Sequence, residues 1–385
     1  MHPDLHDALS LGAAAFDDMF AGAARSLYFN TAGGGQVPAP LSGALGRLVQ
    51  TYDRLGAMSR AALAMTDATM AAAREGVAAL LGASPGSVAL TDSASSALLA
   101  ITAAFDIPEN AAIVIGRDEH PSLEIPFLAQ ARRGARIVRV DAAAPPDETA
   151  LPDAIAIAGL SLLSYRTGAM LHPAWAPALK ARGAFFLVDA TQAIGLTPVS
   201  VEALDCDALV GNGHKWLHGP MGTGFLYASD AALARLRPRG GWRAIADPRN
   251  PASLWKNARG FEGGTLCFPS FAGLAVACAW RNNEAFRQKL ADARKVRAQE
   301  IAQSLPPGAA SLTHEAEGFL CVSAAPGRTF DALQIADALW RDGGFDVKAF
   351  TPAERPEGAL RISVSPFNAV ADCTLLAHKL SDMLR

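Results

Sequence analysis

Apolar and polar positions follow two different patterns along the chain. Between about residues 85 and 230, short apolar runs alternate with segments of helix length. The runs are Ser87–Leu90, Ala112–Ile115, Arg136–Val140, Ile155–Leu163, Phe185–Val188, Ala208–Val210 and Gly224–Tyr227. Several are apolar on consecutive residues, which is typical of strands buried on both faces of a parallel sheet. The pattern therefore predicts an α/β domain that binds its ligands beyond the carboxyl ends of the strands.

The pattern changes after this region. Prolines and glycines between residues 238 and 251 indicate a loop, and a helical pattern from Phe271 to Ser304 predicts one long helix that links two domains. Strands are then predicted at Phe319–Ser323, Val347–Phe350 and Leu360–Val364, with helices at Asp331–Arg341 and from Ala371. We therefore expect a large domain over residues 26–268 and a small α+β domain over residues 269–385. An N-terminal arm, residues 1–25, is expected to pack with the small domain.

Composition narrows the class of protein. The chain has 385 residues, of which 50% are hydrophobic, enough for one large core and a smaller domain. The formal net charge of -3 gives no electrostatic reason to expect nucleic acid or an anionic membrane as a partner. No apolar run reaches the roughly 18 residues of a spanning helix. The start of the chain lacks a basic segment followed by a continuous apolar stretch, so we expect a cytoplasmic protein.

The cysteines and histidines give little indication of a metal site or of disulfide bonds. Five cysteines without paired spacing argue against a disulfide framework. Neither CxxC nor HExxH occurs, so no metal site is expected.

An aspartate and a lysine at predicted strand ends fit one kind of chemistry. Asp189 follows the apolar run Phe185–Val188, and Lys215 follows a Gly-Asn-Gly-His turn. A lysine amine forms a Schiff base with the aldehyde of pyridoxal phosphate (PLP), and a carboxylate keeps the pyridine nitrogen protonated. Taken alone, Lys215 could be a surface lysine and Asp189 a helix cap. Their occurrence together favours a PLP site.

The motifs around these two residues resemble the class V aminotransferase family of fold-type I PLP-dependent enzymes. That family includes cysteine desulfurases, kynureninase and isopenicillin N epimerase. The resemblance rests on LVDATQAIGLTPVSVEALDCDALVGNGHKWL and on TDSASSALL, RDEHPS, LLSYRTGAML, FEGGT and ALRISVSPFN. It covers the chain from about Leu27 to Leu384. It implies the fold-type I architecture, in which a large domain with a mostly parallel seven-stranded sheet is joined to a small α+β C-terminal domain.

The resemblance also implies roles around the cofactor ring. Lys215 would carry the cofactor and move the Cα proton of the substrate, and Asp189 would bind the pyridine nitrogen. Gln192 would hydrogen-bond the phenolic oxygen. The imidazole of His120 would stack on the ring and remain able to move protons. A histidine satisfied by other contacts at a strand end is the alternative for His120.

Other positions would bind the phosphate and the substrate. Ser93, Ala94, Asn212 and His214 occupy the family's phosphate-binding positions. Thr265 would reach the phosphate of a neighbouring subunit, which implies a homodimer. Arg361 would bind the substrate α-carboxylate through its planar guanidinium, although a strand-edge arginine in a surface ion pair is the alternative.

Three departures from the family limit what the resemblance says about the reaction. Ala94 can offer only its backbone amide where the family has a hydroxyl, and Ser95 is a candidate to compensate. Tyr165 stands at a cofactor-binding position, where desulfurases place an asparagine beside the phenolic oxygen, and the S-Y-R-T-G sequence is closer to kynureninase-like members. The stretch DVKAFTPAERPEGA lacks the nucleophilic cysteine of desulfurases.

These features predict an enzyme that acts on an amino acid through an external aldimine. An aminotransferase is the first prediction, since Lys215 and a carboxylate-binding arginine suffice for a 1,3-proton shift. The alternatives are a lyase acting at Cβ, either kynureninase-like or a C–S lyase, and an amino acid epimerase. A PLP-binding protein without turnover is the alternative from a different class. The expected partners are an amino acid and a second copy of the chain.

Overall fold

Seven strands form the large sheet of the protein. The structure is a computed structural model that describes residues 16–21, 27–305, 310–311, 318–324, 331–355 and 358–384. The strands are β1 (Val88–Thr91), β2 (Ala112–Gly116), β3 (Arg136–Val140), β4 (Ile157–Ser161), β5 (Phe185–Asp189), β6 (Ala208–Asn212) and β7 (Gly224–Ala228). Their order is β1-β7-β6-β5-β4-β2-β3, with β7 antiparallel to both neighbours and the remaining pairs parallel. The prediction of a mostly parallel seven-stranded sheet is confirmed.

Helices cover both faces of this sheet. The α-helices of the described residues are α1 (Phe16–Ala21), α2 (Ala39–Leu55), α3 (Arg60–Leu81), α4 (Ala94–Ala104), α5 (Pro121–Ala131), α6 (Trp175–Lys180), α7 (Val201–Leu204), α8 (Asp230–Arg235), α9 (Phe268–Asn282), α10 (Glu284–Ser304), α11 (Ala332–Gly343) and α12 (Val370–Leu384). Of these, α11 and α12 pack with strands of the C-terminal part of the chain and not with this sheet. In β2, Val114 packs in the core that contains α3 and α9, whereas Ile113 and Ile115 pack in the core that contains α4 and α5. Burial on both faces explains the consecutive apolar residues of the strands.

A single helix over 271–304 is a wrong prediction, because the chain breaks at Asn283. This residue has φ -82° and ψ 116°, outside the helical region, and separates α9 from α10. Its side chain accepts a hydrogen bond from the backbone N–H of Phe286 at 3.0 Å. Asparagine competes for backbone groups in this way, which favours a cap over a helix interior.

A second sheet lies in the C-terminal part of the chain. Its antiparallel strands have the order β10 (Ala310–Ser311), β11 (Phe319–Ala324), β13 (Ala359–Ser363) and β12 (Lys348–Phe350), and a separate hairpin joins β8 (Ile245–Asp247) to β9 (Asn250–Leu254). Isolated bridges join Tyr28 to Asp346 and Asn30 to Ser363. Residues 27–30 therefore contact the second sheet. The domain bounds stay a prediction.

Only one part of the predicted N-terminal arm can be described. Helix α1 packs Phe16 against Phe286 of α10, with ring centroids 5.3 Å apart, and Phe20 against Phe367 at 4.8 Å. Residues 1–15 and 22–25 lie outside the described residues. Among the described helices, none is both long and apolar enough to cross a membrane.

A buried carboxylate connects helix α3, strand β1 and the loop before α9. Glu262 is fully buried, and its Oε1 accepts from Arg74 Nη2 at 2.5 Å and from the backbone N–H of Leu90 at 3.2 Å. Nitrogens of Arg243 and Arg259 lie 4.0 and 3.9 Å from its Oε2. One carboxylate thus compensates the buried guanidinium of Arg74 and the half-buried ones of Arg243 and Arg259, so its loss would leave these positive charges uncompensated.

We expect Glu262→Ala to lower the free energy of unfolding by about 3–5 kcal/mol, the usual cost of breaking a buried ion pair from one side. Urea denaturation of the variant and the parent protein measures the difference. The matched control is Asp337→Asn, which removes an exposed carboxylate that pairs with Arg341. The control should lose less than about 1 kcal/mol. Equal losses of unfolding free energy in the two variants would show that Glu262 stabilises the fold no more than an exposed carboxylate does.

Candidate active site

A cavity of about 250 Å³ lies at the carboxyl ends of the parallel strands. It is lined by Gly33, Ser93, Ala94, Ser95, His120, Ser122, Ser161, Leu163, Tyr165, Asp189, Thr191, Gln192, Asn212, His214 and Lys215. The structure therefore brings together all the predicted site residues except Thr265 and Arg361. These residues come from several separate strand ends and turns, as expected for a site at the edge of a parallel sheet.

Lys215 is half-buried in the turn that follows β6, with its amine inside the cavity. Burial lowers the pKa of its amine to about 8, with Asp189 opposing the shift and Arg361 adding to it. The turn is held by close backbone contact with the segment TAGGG, where the N–H of Gly35 donates to the carbonyl of His214 at 2.6 Å. A Cβ atom at Gly35 would lie 2.1 Å from the carbonyl oxygen of Lys215. Only glycine permits this approach, so the glycine segment fixes the position of the lysine.

Asp189 ends β5 and lies at the cavity with 6% of its surface exposed. Its Oδ1 accepts from the backbone N–H of Thr191 at 2.8 Å. The neighbouring Gln192 has both ends of its amide engaged: Nε2 donates to the carbonyl of Ala32 at 3.0 Å, and Oε1 accepts from Trp216 Nε1 at 3.1 Å. Gln192 thereby connects the aspartate turn to the residue after Lys215. Its contact with the phenolic oxygen of a cofactor stays a prediction.

His120 begins helix α5 at the same cavity. Its Nδ1 accepts from the backbone N–H of Ser122 at 3.1 Å, and its ring meets the ring of Tyr165 edge-on at a centroid distance of 5.0 Å. Burial lowers the pKa of this imidazole, and the positive charge of Lys215 lowers it further. His120 therefore both caps helix α5 and faces the cavity, and its surroundings favour the neutral form of its ring.

One end of the cavity presents hydrogen-bonding groups suited to an anion. Helix α4 begins there, with Ser93 Oγ accepting from the N–H of Ser96 at 3.1 Å. The hydroxyl of Ser95, the candidate to compensate for Ala94, donates to Ser122 Oγ at 2.8 Å. Helix N-termini of this kind bind phosphate through backbone N–H groups.

Two further atoms near this end have unused hydrogen-bonding capacity. Asn212 Oδ1 and His214 Nδ1 are buried and have no hydrogen-bond partner. Burial lowers the pKa of His214 to about 4, and Lys215 adds to the shift. Buried polar atoms without partners are costly unless a ligand satisfies them.

Several lining residues were missed by sequence reasoning. Ser122, Ser161 and Thr191 each lie within two residues of a predicted site residue or at a strand end, and Gly33 belongs to the glycine segment. Their polar side chains follow strand ends, and this position is the feature of the sequence that could have identified them as site residues. A serine or threonine at such a place also caps helices, so the residue type alone does not indicate a ligand.

Arg361 lies behind the cavity wall. It is on β13, with 4% of its surface exposed; Nη1 donates to the carbonyl of Tyr165 at 3.2 Å and Nη2 donates to Asn30 Oδ1 at 3.0 Å. Its Nε is buried without a hydrogen-bond partner. Burial lowers the pKa of the guanidinium to about 10. A surface ion pair, the alternative for this residue, does not occur, because the side chain is buried.

Thr265 is exposed in the loop before α9 and does not line the cavity. Its predicted contact requires a second copy of the chain and stays a prediction.

Comparison with known proteins identifies the family. The model of the family described as aminotransferase class-V matches residues 27–323. The chain belongs to this family, whose members depend on PLP, and PLP is its cofactor.

Individual relatives span several activities. A probable cysteine desulfurase of Methanothermobacter thermautotrophicus is 29% identical over 225 residues, and the match covers just over half of each protein, 56%. Isopenicillin N epimerase of Streptomyces clavuligerus is 26% identical over 336 residues, covering 80% of this chain and 83% of the epimerase. Among solved structures, cystine C-S lyase C-DES in complex with its reaction product cysteine persulfide superposes with a TM-score of 0.84. It is 21% identical and covers 94% of this chain and 99% of the lyase.

The residues of the cavity fit PLP. The buried amine of Lys215 and the carboxylate of Asp189 supply the two groups that the cofactor requires. The unpartnered Nδ1 of His214, in the tautomer that carries its proton, and the N–H groups of the first turn of α4 are the donors that a phosphate at this end of the cavity requires.

We expect borohydride reduction of the holoenzyme to attach the cofactor covalently to Lys215, since the pKa of this amine is lowered and the amine faces the cavity. Peptide mass mapping locates the adduct. In Lys215→Ala the adduct should be absent while the protein still binds PLP noncovalently. An adduct on another lysine of the parent protein would overturn the assignment.

Proposed function

We propose that the protein is a PLP-dependent C–S lyase that cleaves the Cβ–S bond of a cysteine-type amino acid such as cystine. This is one of the alternatives from the sequence. The relatives support it over an aminotransferase, because they include a probable cysteine desulfurase and an epimerase. The observation that carries the choice is the position of the cysteines.

None of the five cysteines lines the cavity. Cys267 is exposed and the other four are buried, and none lies in the stretch before β13 where desulfurases carry their nucleophile. A cysteine that captures sulfur must be accessible and have a lowered pKa. Burial instead raises the pKa values of Cys206, Cys278 and Cys373 to about 12. These features support a reaction that releases the sulfur atom as part of a small product, and not one that transfers it to a thiol of the enzyme.

Seven residues at or next to the cavity have a part in this proposal. PLP, when bound, supplies an electron sink for the charge that develops at the substrate Cα. Asp189 would stabilise the positive charge at the pyridine nitrogen, and Arg361, whose Nη1 donates to the carbonyl of Tyr165 at the cavity wall, would bind the α-carboxylate. Lys215 Nζ takes the Cα proton. Ser93, the backbone N–H of Ala94, Asn212 and His214 hold the phosphate.

The proposal includes a homodimer in the cytoplasm. Thr265 is exposed on the loop that follows Glu262, and a second copy could bring this threonine to the phosphate. Size-exclusion chromatography with light scattering tests the oligomeric state.

The reaction is tested with L-cystine and the holoenzyme. Cleavage of one Cβ–S bond with uptake of one water gives cysteine persulfide, pyruvate and ammonia. We therefore expect each active site to form many molecules of pyruvate. A coupled lactate dehydrogenase assay measures pyruvate, and Lys215→Ala should lose at least about 100-fold in kcat, as expected for a general base.

Other outcomes would identify other reactions. Conversion of the cofactor to its pyridoxamine form, without multiple turnovers of pyruvate, would mean transamination. Appearance of the opposite enantiomer of an amino acid without pyruvate would mean epimerisation. Either result contradicts the lyase proposal but leaves the cofactor site intact.

Arg361→Lys tests the binding of the carboxylate. Lysine keeps the charge but loses the planar guanidinium, so we expect the apparent Kd for L-cystine to rise by about tenfold, the effect of weakening one charge-assisted hydrogen bond. The change in cofactor absorbance on titration measures Kd. Cystamine, which lacks both carboxylates, should bind the variant and the parent equally. Equal weakening of cystine and cystamine would show that Arg361 is structural.

A further inference from the structure

A second cavity, about 490 Å³, lies between the junction of α9 with α10 and the loop over residues 194–199. It shares no lining residue with the candidate active site. Three arginines line it, Arg281, Arg287 and Arg294, and the carboxylate among its lining residues is that of Glu284. We call this space the arginine cavity. Its positive charge exceeds its negative charge, and none of its residues has a role in the proposed reaction.

Arg281 is the buried group of the arginine cavity. It lies in the last turn of α9, with 2% of its surface exposed. Its Nη2 donates to the carbonyl of Trp216 at 2.7 Å, whereas its Nε and Nη1 are buried and have no hydrogen-bond partner. The charged neighbours of the guanidinium are Arg294, which repels it, and the thiol of Cys278. Two of its three nitrogens therefore have unused donors.

A buried guanidinium that has unpaired donors and no opposite charge nearby is energetically unfavourable. Burial, and then the charge of Arg294, lower the pKa of Arg281 well below its usual value. A charged group is tolerated inside a protein when an opposite charge and hydrogen bonds compensate its lost hydration. Glu262, described above, shows such compensation elsewhere in this chain. At Arg281 no carboxylate of the described residues provides this compensation, although Glu284 lines the same cavity, and a bound anion would supply it.

The rim of the arginine cavity adds a second donor. Arg287 is exposed on α10, and its Nη1 donates to the carbonyl of Arg281 at 2.8 Å. This bond holds the Arg287 guanidinium next to the end of α9, while the other nitrogens stay available. An oxyanion in the cavity can thus accept from a buried guanidinium and from an exposed one, which is the geometry of charge-assisted anion binding.

We propose that the arginine cavity is a binding site for a small oxyanion of the phosphate type, held by Arg281 and closed at the rim by Arg287. The site communicates with the cofactor site through one residue, since Arg281 donates to the carbonyl of Trp216, which directly follows Lys215. Bound anion therefore stabilises the turn that carries the lysine.

The test uses inorganic phosphate and the holoenzyme after borohydride reduction, so that phosphate cannot enter the cofactor's own phosphate site. The melting temperature is measured against phosphate concentration, with sodium chloride keeping the ionic strength constant. We expect a saturable rise in the parent protein, because a ligand that binds only the folded state stabilises it. Arg281→Met should abolish the rise.

Arg287→Gln gives a second, independent variant in case Arg281→Met does not fold. It removes an exposed charge, and the half-saturating phosphate concentration should increase by about tenfold. The matched control is Lys295→Gln, which removes an exposed charge of the same helix outside the arginine cavity and should leave the titration unchanged. Three results would overturn the proposal. They are a phosphate effect no different from that of chloride, a rise in melting temperature that persists in Arg281→Met, and equal titrations of Arg287→Gln and Lys295→Gln.

Discussion

The burial of the Lys215 amine is the constraint on which the candidate site depends. Its pKa falls from 10.5 to about 8 because the amine is removed from water. A lysine with a lower pKa in the folded than in the unfolded state destabilises the fold below its folded pKa, here by about 3 kcal/mol at neutral pH. Stability lost in this way is recovered as pH rises from about 8 towards 10.5. The close approach of Gly35 and the hydrogen bond from Trp216 to Gln192 hold the lysine turn in place despite this cost.

Buried charge is distributed unevenly over the fold. Around Glu262, one carboxylate faces three guanidinium groups and joins α3 to β1 and to the loop before α9. Around Arg281, a guanidinium without a carboxylate supports the carbonyl of Trp216. The first cluster stabilises the loop that exposes Thr265, and the second lies under the lysine turn. Two buried arginines, Arg74 and Arg281, are therefore connected to the loop of Thr265 and to the turn of Lys215, respectively.

The strands and the Asp189–Lys215 pair could be predicted because both depend on local sequence. Consecutive apolar residues indicate strands covered on two faces, and the aspartate and lysine follow such strands. The break at Asn283 was missed, since a capping side chain interrupts an apolar pattern that otherwise continues. The contact of Gly35 with Lys215, the engagement of Gln192 by Trp216 and the position of Arg361 behind Tyr165 join residues far apart in sequence. No local pattern encodes such contacts.

The charge around His120 bears on the choice between C–S and C–C cleavage. Burial has the largest effect on the pKa of its imidazole and lowers it; Lys215, Arg361 and Arg166 lower it further, with Asp189 opposing them. A neutral imidazole accepts a proton more readily than it donates one. The sulfur leaving group of cystine, a persulfide anion, is stable without prior protonation, since even an ordinary thiol has a pKa of about 8.5, whereas a carbon leaving group needs an acid to protonate it. The neutral form that these charges favour at His120 therefore supports the proposed sulfur leaving group over a carbon one.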